Sequence, residues 1–360
     1  MTANPFDDET PFVRPEWDDE GAGGEGSKDG WRGPSGDPND RQFGDVIEPI
    51  DPEAADETDA VLVGEPYDGA VIGRRGARYA PTAIRRSLAG VKTAHLRRGD
   101  PSDQSGVRIG DLGDIRALEG DGLDSDGVDG VSGDDDGDND HSGQDVASVQ
   151  KHVKRIARRV HDLETLPVFI GGDNSLTYGN VAPLLESGDD RVGVVNLDAH
   201  LDCREVRESP TSGTPYRQLL SDGLDTYVAV GARHFETSSA YVDYVEDRGG
   251  TIVPADAFGA GLEAVVDAVR SAVADVDTLY VSVDCDVLDA AAAPGVSAPT
   301  PGGLTTRELF GFVGSIAADG RLAGLEVVEC SPPRDEGNRT VDAAARTIAY
   351  ALWGYLEENR

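Results

Sequence analysis

Four short runs in this chain place acids, an amide and an imidazole directly after apolar, largely β-branched stretches. Gly171-Gly172-Asp173-Asn174-Ser175 follows Leu166 to Ile170, and Asp198-Ala199-His200-Leu201-Asp202 follows Val192 to Leu197. Asp284-Cys285-Asp286-Val287-Leu288-Asp289 follows Leu279 to Val283, and Glu329-Cys330-Ser331-Pro332 follows Leu325 to Val328. In extended chain, residues two apart share a face, so Asp198, His200 and Asp202 project together, as do Asp284 and Asp286. Carboxylates gathered a few ångströms apart cannot all ionise without a counter-cation. A pair of divalent cations resolves that repulsion. An oxygen-rich donor set with one neutral imidazole suits Mn²⁺ better than the thiolate-rich sets of structural zinc. Two such cations activate a water and clamp a hydrolytic transition state. Asp289 breaks the parity and reads as a loop or capping residue.

Chemistry at strand ends needs a sheet that brings those ends together. Ala60 to Val63 and Tyr227 to Val230 add two more apolar runs. All six are apolar throughout rather than alternating, as strands buried on both faces of a parallel sheet are. Helical patterns lie near 147–163, 236–248, 258–274, 305–317 and 340–356, the last with Val341, Ala344, Ile348, Leu352 and Leu356 on one stripe. This alternation implies an α/β fold, a three-layer α/β/α arrangement with a mainly parallel central sheet and right-handed crossovers. Sites in such folds gather beyond the carboxyl ends of the strands.

Composition sets the outer bounds. The 360 residues carry 68 acids against 32 Lys and Arg, a formal charge of −36, and Lys occurs only at 28, 92, 151 and 154. A polyanion of this kind offers no general footprint for nucleic acid or an anionic membrane surface. A salt-adapted surface accounts for the excess. No run approaches the ~18 apolar residues of a membrane helix, and the first residues lack the basic and apolar regions of a secretory signal. Three cysteines make no disulfide framework, so the chain reads as soluble and cytoplasmic. Residues 1–40 are rich in Gly, Asp, Glu and Pro and read as a disordered acidic tail. Residues 118–145 read as an acidic low-complexity insertion, because no register there supplies the Gly and Glu of a calcium loop. That leaves 41–360 as one catalytic domain.

Of six histidines only His200 stands beside this chemistry; His95, His141, His152, His161 and His234 fall in a loop, the insertion or helix faces. Cys285 lies between two proposed ligands and points away from them as a small buried hydrophobe. Cys203 and Cys330 adjoin site residues and are open as oxidation-sensitive neighbours.

The run Asp198-Ala199-His200-Leu201-Asp202 resembles the Asp-Ala-His-x-Asp signature of the ureohydrolase (arginase/agmatinase) family. Ser282 to Asp289, followed by Pro294-Gly295 and Pro301-Gly302-Gly303-Leu304, is similar to that family's second metal motif and trailing loop. Gly64-Glu65-Pro66-Tyr67-Asp68-Gly69, with Gly76-Ala77-Arg78, Pro81 and Ile84-Arg85, looks like its N-terminal region. The resemblance covers most of 60–355 and implies an arginase-like fold with two Mn²⁺ per subunit. It implies that Asp198 and Asp284 bridge, that His200 and Asp286 complete one site, and that Asp202 with Asn174 completes the other. Glu329 would contact the amidine or guanidine nitrogens of the substrate. A homo-oligomer, trimer or hexamer, is also implied. Most members carry His where this chain has Asn174; an amide oxygen is a weaker ligand, so that metal site should fill less tightly.

Ser212-Gly213-Thr214-Pro215-Tyr216-Arg217 stands where arginases and agmatinases usually have a His-Gly pair. With Asn174 and Trp31-Arg32-Gly33-Pro34, it looks like the branch of the family that hydrolyses formimidoylglutamate. The reaction expected is N-formimidoyl-L-glutamate plus water giving L-glutamate and formamide, in histidine degradation. Ser212, Gly213 and Thr214 would then line the substrate, and Asp202 would carry a proton to the leaving amine. Arg74 and Arg75 suit bidentate clamps on the substrate's carboxylates, or equally ordinary ion pairs on an acidic surface. The rival within the family is an agmatinase or other guanidine hydrolase releasing urea. The rival from another class is a metal-binding relative without turnover.

Overall fold

Ten strands pair into one sheet in a computed structural model that describes residues 11–15, 31–96, 99, 107–116, 118, 145–188 and 190–358. They are β1 (Phe12–Val13), β2 (Ile47–Pro49), β3 (Ala60–Gly64), β4 (Ile109–Ile115), β5 (Leu166–Ile170), β6 (Val192–Leu197), β7 (Thr226–Ala232), β8 (Thr251–Pro254), β9 (Thr278–Asp284) and β10 (Leu322–Val328). The order across the sheet is β1-β4-β3-β5-β10-β9-β6-β7-β8, with β2 also beside β4. Every pairing is parallel except β1 against β4.

The helices are α1 (Ala80–Ala89), α2 (Val146–His161), α3 (Thr177–Leu185), α4 (Pro215–Ser221), α5 (Ser239–Glu246), α6 (Leu262–Ala272), α7 (Thr306–Ile316) and α8 (Arg339–Glu358). Alternate strand residues feed two separate cores. Leu62, Val168, Val195 and Val281 pack with Ile84 of α1, Val269 of α6, Phe312 of α7 and Ile348 of α8. Val61, Phe169, Val194 and Tyr280 pack with Val153 of α2, Val181 of α3 and Leu219 of α4. The three-layer α/β/α reading follows from this period-two division, which also explains why most central strand positions are apolar on both faces.

All six apolar runs are strands. The strand β4, by contrast, is masked in sequence because Ile109-Gly110-Asp111-Leu112-Gly113-Asp114-Ile115 carries two acids and two glycines. Those acids answer a cation. Arg85 of α1 is fully buried, with Nη2 2.9 Å from Asp111 Oδ1 and Nη1 2.5 Å from Asp114 Oδ1. Helix α4 opens on Pro215 and α3 contains Pro183, and both are short, so neither shows a clear 3.6-residue period.

The boundary at residue 41 moves toward the N-terminus. The Trp31 indole donates to Asp111 Oδ2 at 2.8 Å, Ser35 N donates to Gln42 Oε1 at 2.8 Å, and Phe12 is buried where β1 meets β4. Composition averaged over forty residues hides these two aromatic anchors. The rest of the acidic tail (1–10 and 16–30), and residues 119–144 of the insertion, lie outside the described residues. Among the described residues, no helix is long and apolar enough to cross a membrane.

Candidate metal centre and active site

The strands β5, β10, β9 and β6 are neighbours in that order at the middle of the sheet, and all four proposed runs leave their carboxyl ends. The turn after β5 needs glycine: a Cβ on Gly172 would lie 1.7 Å from the Tyr67 carbonyl oxygen. That close approach lets Asp173 N donate to Tyr67 O (2.8 Å) and Glu329 N donate to Gly172 O (2.9 Å). Asp173 then fixes the turn, accepting from Ala70 N at 2.8 Å and Ser175 N at 3.0 Å.

Parity brought the right residues together by a different route from the extended chain assumed. Asp284 closes β9, and Cys285–Val287 is a single 3-10 turn, in which Asp286 N donates to Asp284 Oδ1 at 2.8 Å. Asp198 follows β6 and accepts from His200 N at 2.7 Å. Asp202 has φ 41° and Glu329 φ 62°, left-handed conformations uncommon for non-glycine residues and concentrated at functional sites.

Asp198, Asp284, Asp286, Asn174 and Glu329 are buried, and His200 and Asp202 are half-buried. Donor atoms of Asp198, His200 and Asp286 lie within 4.8 Å of one another, and so do those of Asp198, Asp202 and Asp284. Asp198 belongs to both groups. His200 Nδ1 is the ring nitrogen turned to the carboxylates, 3.3 Å from Asp198 Oδ1 and 3.2 Å from Asp286 Oδ2.

The electrostatics match the crowding. Burial, together with neighbouring carboxylates, pushes the acids of Asp198, Asp202 and Asp284 above their ordinary range. Burial also raises Asp286, but the hydrogen bond and charge of His200, the Ala199 amide and the charge of Arg233 together outweigh this and hold it low. For His200, burial disfavours the charged ring, yet its bonds to Asp198 and Asp286 win and push it up to about 12. A cluster of buried carboxylates that favours a nearby positive charge has the electrostatics to hold a cation. Carboxylates with one imidazole and no thiolate fit Mn²⁺.

Asn174 joins the two sides of this cluster. Its Nδ2 donates to Asp202 Oδ2 at 2.5 Å, its Oδ1 accepts from Thr177 Oγ1 at 2.7 Å, and its N donates to Glu329 Oε1 at 3.0 Å. The other carboxylate oxygen of Glu329, Oε2, is buried with no hydrogen bond of good geometry among the described residues, although the Ser297 hydroxyl is near the carboxylate. Burial and the charge of Asp173 raise the Glu329 acid to about 8.

The structure treats the residues proposed around the substrate unequally. Arg74 is a brace: Nη2 donates to Val296 O at 2.8 Å and Pro294 O at 3.3 Å, and Nε donates to Ser297 O at 3.4 Å. Those bonds hold the loop after Asp289. The Arg75 side chain is exposed, while its carbonyl accepts from Ser331 Oγ at 3.4 Å. Ser212 lies against the 70–72 segment, its N donating to Ala70 O at 2.9 Å and its Oγ accepting from Ile72 N at 3.1 Å. Gly213 is packed so closely that a Cβ would meet Ile72 Cδ1 at 2.9 Å. Thr214 is a local device instead, its hydroxyl donating to Thr211 O at 2.9 Å ahead of α4.

The remaining readings sort cleanly. Asp289 caps its loop, accepting from Ala291 N at 2.9 Å and Gly302 N at 2.7 Å. Cys203, Cys285 and Cys330 are free and buried in the two cores, and burial raises the Cys203 thiol to about 11, so none is poised as an exposed thiolate. His161 is a core residue bonded to Asn180 O, His152 and His234 sit at the surface, and His141 lies outside the described residues. Sequence reasoning stopped at four strands and missed a fifth. β7 also ends at this edge, where Arg233 binds the Asp286 carbonyl and Glu236 Oε2 stands 3.9 Å from His200 Nε2. The signal was present in Arg233-His234-Phe235-Glu236, polar residues directly after an apolar strand.

This mainly parallel sheet, with two groups of potential metal ligands that share Asp198 at the ends of β6 and β9, is the arrangement of an arginase-type protein. The sequence model of the arginase family matches residues 58–354, and the chain belongs to that family. It is 53% identical over 327 residues to the formimidoylglutamase of Halobacterium salinarum, spanning 90% of this chain and 97% of that one. Among solved structures, the formimidoylglutamase from Bacillus subtilis superposes with a TM-score of 0.75 at 29% identity, covering 88% of this chain and 93% of that one. The formiminoglutamase of Trypanosoma cruzi, crystallised with Mn²⁺, shares the fold with a TM-score of 0.70 at 24% identity, covering 84% and 95% of the two chains.

Proposed function

We propose that this chain hydrolyses N-formimidoyl-L-glutamate to L-glutamate and formamide, as a manganese-dependent step of histidine degradation. The carrying observation is Asp198, one carboxylate common to two groups of potential ligands. Asp198, His200 and Asp286 would hold one Mn²⁺, and Asp198, Asp202 and Asp284 the other, with Asn174 as a weak ligand beside Asp202. When bound, Mn²⁺ supplies Lewis acidity for activating water and for the charge that develops on oxygen.

The chain's own residues do the rest. Glu329 Oε2, buried without a hydrogen bond of good geometry, accepts an N–H of the formimidoyl group, while Asn174 N holds Oε1 in place. Asp202, fixed by the Asn174 amide, moves a proton from the water side to the glutamate nitrogen. A C–O bond forms at the formimidoyl carbon, the C–N bond to glutamate breaks, and the proton leaves on the new amine. Ser212, Gly213 and Arg75 suit the glutamyl end. Similarity to formimidoylglutamases supports this substrate over agmatine. Three free thiols support a reducing, cytoplasmic location. A trimer or hexamer follows the family resemblance.

The deciding experiment offers Mn²⁺-loaded protein formimidoylglutamate, agmatine and arginine separately, in high salt. Glutamate release is expected. Urea from agmatine would overturn the substrate, and full metal loading without turnover on any of the three would leave a binding protein.

A further inference from the structure

Arg233, the first residue beyond β7, is 6% exposed, and among the described residues it has no carboxylate partner at ion-pair distance. In a chain with twice as many acids as bases, a buried guanidinium without a carboxylate is out of keeping with its surroundings. Its donors go to the main chain of the second metal motif. Nη2 donates to Asp286 O at 2.5 Å and Leu288 O at 2.6 Å, and Nη1 donates to Thr300 Oγ1. Its backbone N donates to Ala199 O at 2.9 Å, and Ala199 N in turn donates to Asp286 Oδ1 at 3.2 Å. Asp286 is therefore gripped at both ends, by its carbonyl and by Oδ1, which leaves Oδ2 facing His200 Nδ1 at 3.2 Å.

We propose that Arg233 is a positioning residue for one of the two cation sites, aiming Asp286 Oδ2 at the place shared with Asp198 and His200. The role needs the planar fork, because two carbonyls two residues apart are held by one nitrogen while the other nitrogen is anchored on Thr300. A lysine keeps the charge and loses that geometry. The Arg233 side chain reaches the group of Asp198, Asp202 and Asp284 only at one remove, through Asp286 N on Asp284 Oδ1, so the larger loss falls on the first site.

The inference rests on the two-manganese reading, so the parent chain is measured first. Calorimetric titration with Mn²⁺ should show two ions, and electron paramagnetic resonance should show an exchange-coupled pair. A parent that binds no Mn²⁺ would overturn both the reading and this inference; one that binds two isolates the question of Arg233. In Arg233→Lys, one Mn²⁺ is expected to bind about 10- to 100-fold more weakly, in the range seen when groups behind a metal ligand are removed. The other ion should weaken far less, and at limiting Mn²⁺ the coupled spectrum should give way to a six-line mononuclear one. Two ions bound with parental affinity would overturn the proposal, as would equal weakening of both sites. Should Arg233→Lys not fold, Thr300→Val, which frees Nη1 alone, carries the test. A smaller selective loss at one ion supports the proposal, and parental titration overturns it.

Discussion

The side-chain amide of Asn174 donates to Asp202 Oδ2 at 2.5 Å, so the residue that departs from the family's usual histidine is tied to the carboxylate proposed to move the proton. Thr177, in turn, fixes the far side of the same amide. Asn174 thus orients Asp202 whatever its share in metal binding.

An imidazole at that position would exchange a weak donor for a strong one. Asn174→His should tighten the Asp202 side of the centre by on the order of tenfold. Calorimetry with Mn²⁺ reads this directly, and an unchanged second binding constant would count against Asn174 lying at that site.

Asp198 is common to both donor groups, so its loss should not be local. Asp198→Ala is expected to abolish stoichiometric Mn²⁺ binding and to lower kcat by about a thousandfold or more, the loss of several kcal/mol of transition-state stabilisation. Metal analysis after gel filtration, alongside kcat, checks it; two retained ions would refute the shared-ligand arrangement.

Arg85 is fully buried between Asp111 and Asp114. Removing the cation leaves two carboxylates enclosed without compensation, which typically costs about 3–5 kcal/mol. Arg85→Met should lower the midpoint of urea unfolding with little change in its slope, and a midpoint equal to the parent's would show that the pair contributes nothing net.

Glu65 is wholly buried, and Asn180 Nδ2 donates both to it and to Glu326 at 2.9 Å. Burial, reinforced by the charges of Glu326 and Asp173, raises its acid from 4.5 to about 8. The folded chain therefore holds a proton that the unfolded chain has released. This contribution to stability is complete below pH 4.5 and is lost as pH rises through 8, with a slope of at most about 1.4 kcal/mol per pH unit. Glu65→Gln should flatten the fall in stability between pH 5 and 8 in chelated protein. An identical pH dependence would place the proton elsewhere.

A surface charge near −36 repels a dianionic substrate, and salt screens that repulsion, to about 3 Å at 1 M. kcat/KM should rise with KCl concentration, chiefly through KM. Peak kcat/KM in dilute buffer would contradict salt adaptation.

The sequence by itself determined the strand ends and the residues they carry, because a buried parallel strand is an unbroken apolar run and the polar residues after it stand out locally. Asp198, His200, Asp202, Asp284, Asp286 and Glu329 were all legible in that way. Strand β4 was not, since its acids make sense only against Arg85, which lies more than twenty residues away in the chain. The tertiary structure alone decided that β5, β10, β9 and β6 stand side by side, and therefore that the runs after β6 and β9 share one Asp198-centred cluster with Asn174 and Glu329 bonded beside it. It also spent Arg74 on backbone carbonyls, put Arg233 behind Asp286 and left Glu329 Oε2 without a hydrogen bond of good geometry. Each of these is a hydrogen bond, or the lack of one, between residues far apart in sequence, and no local pattern encodes which donor meets which acceptor.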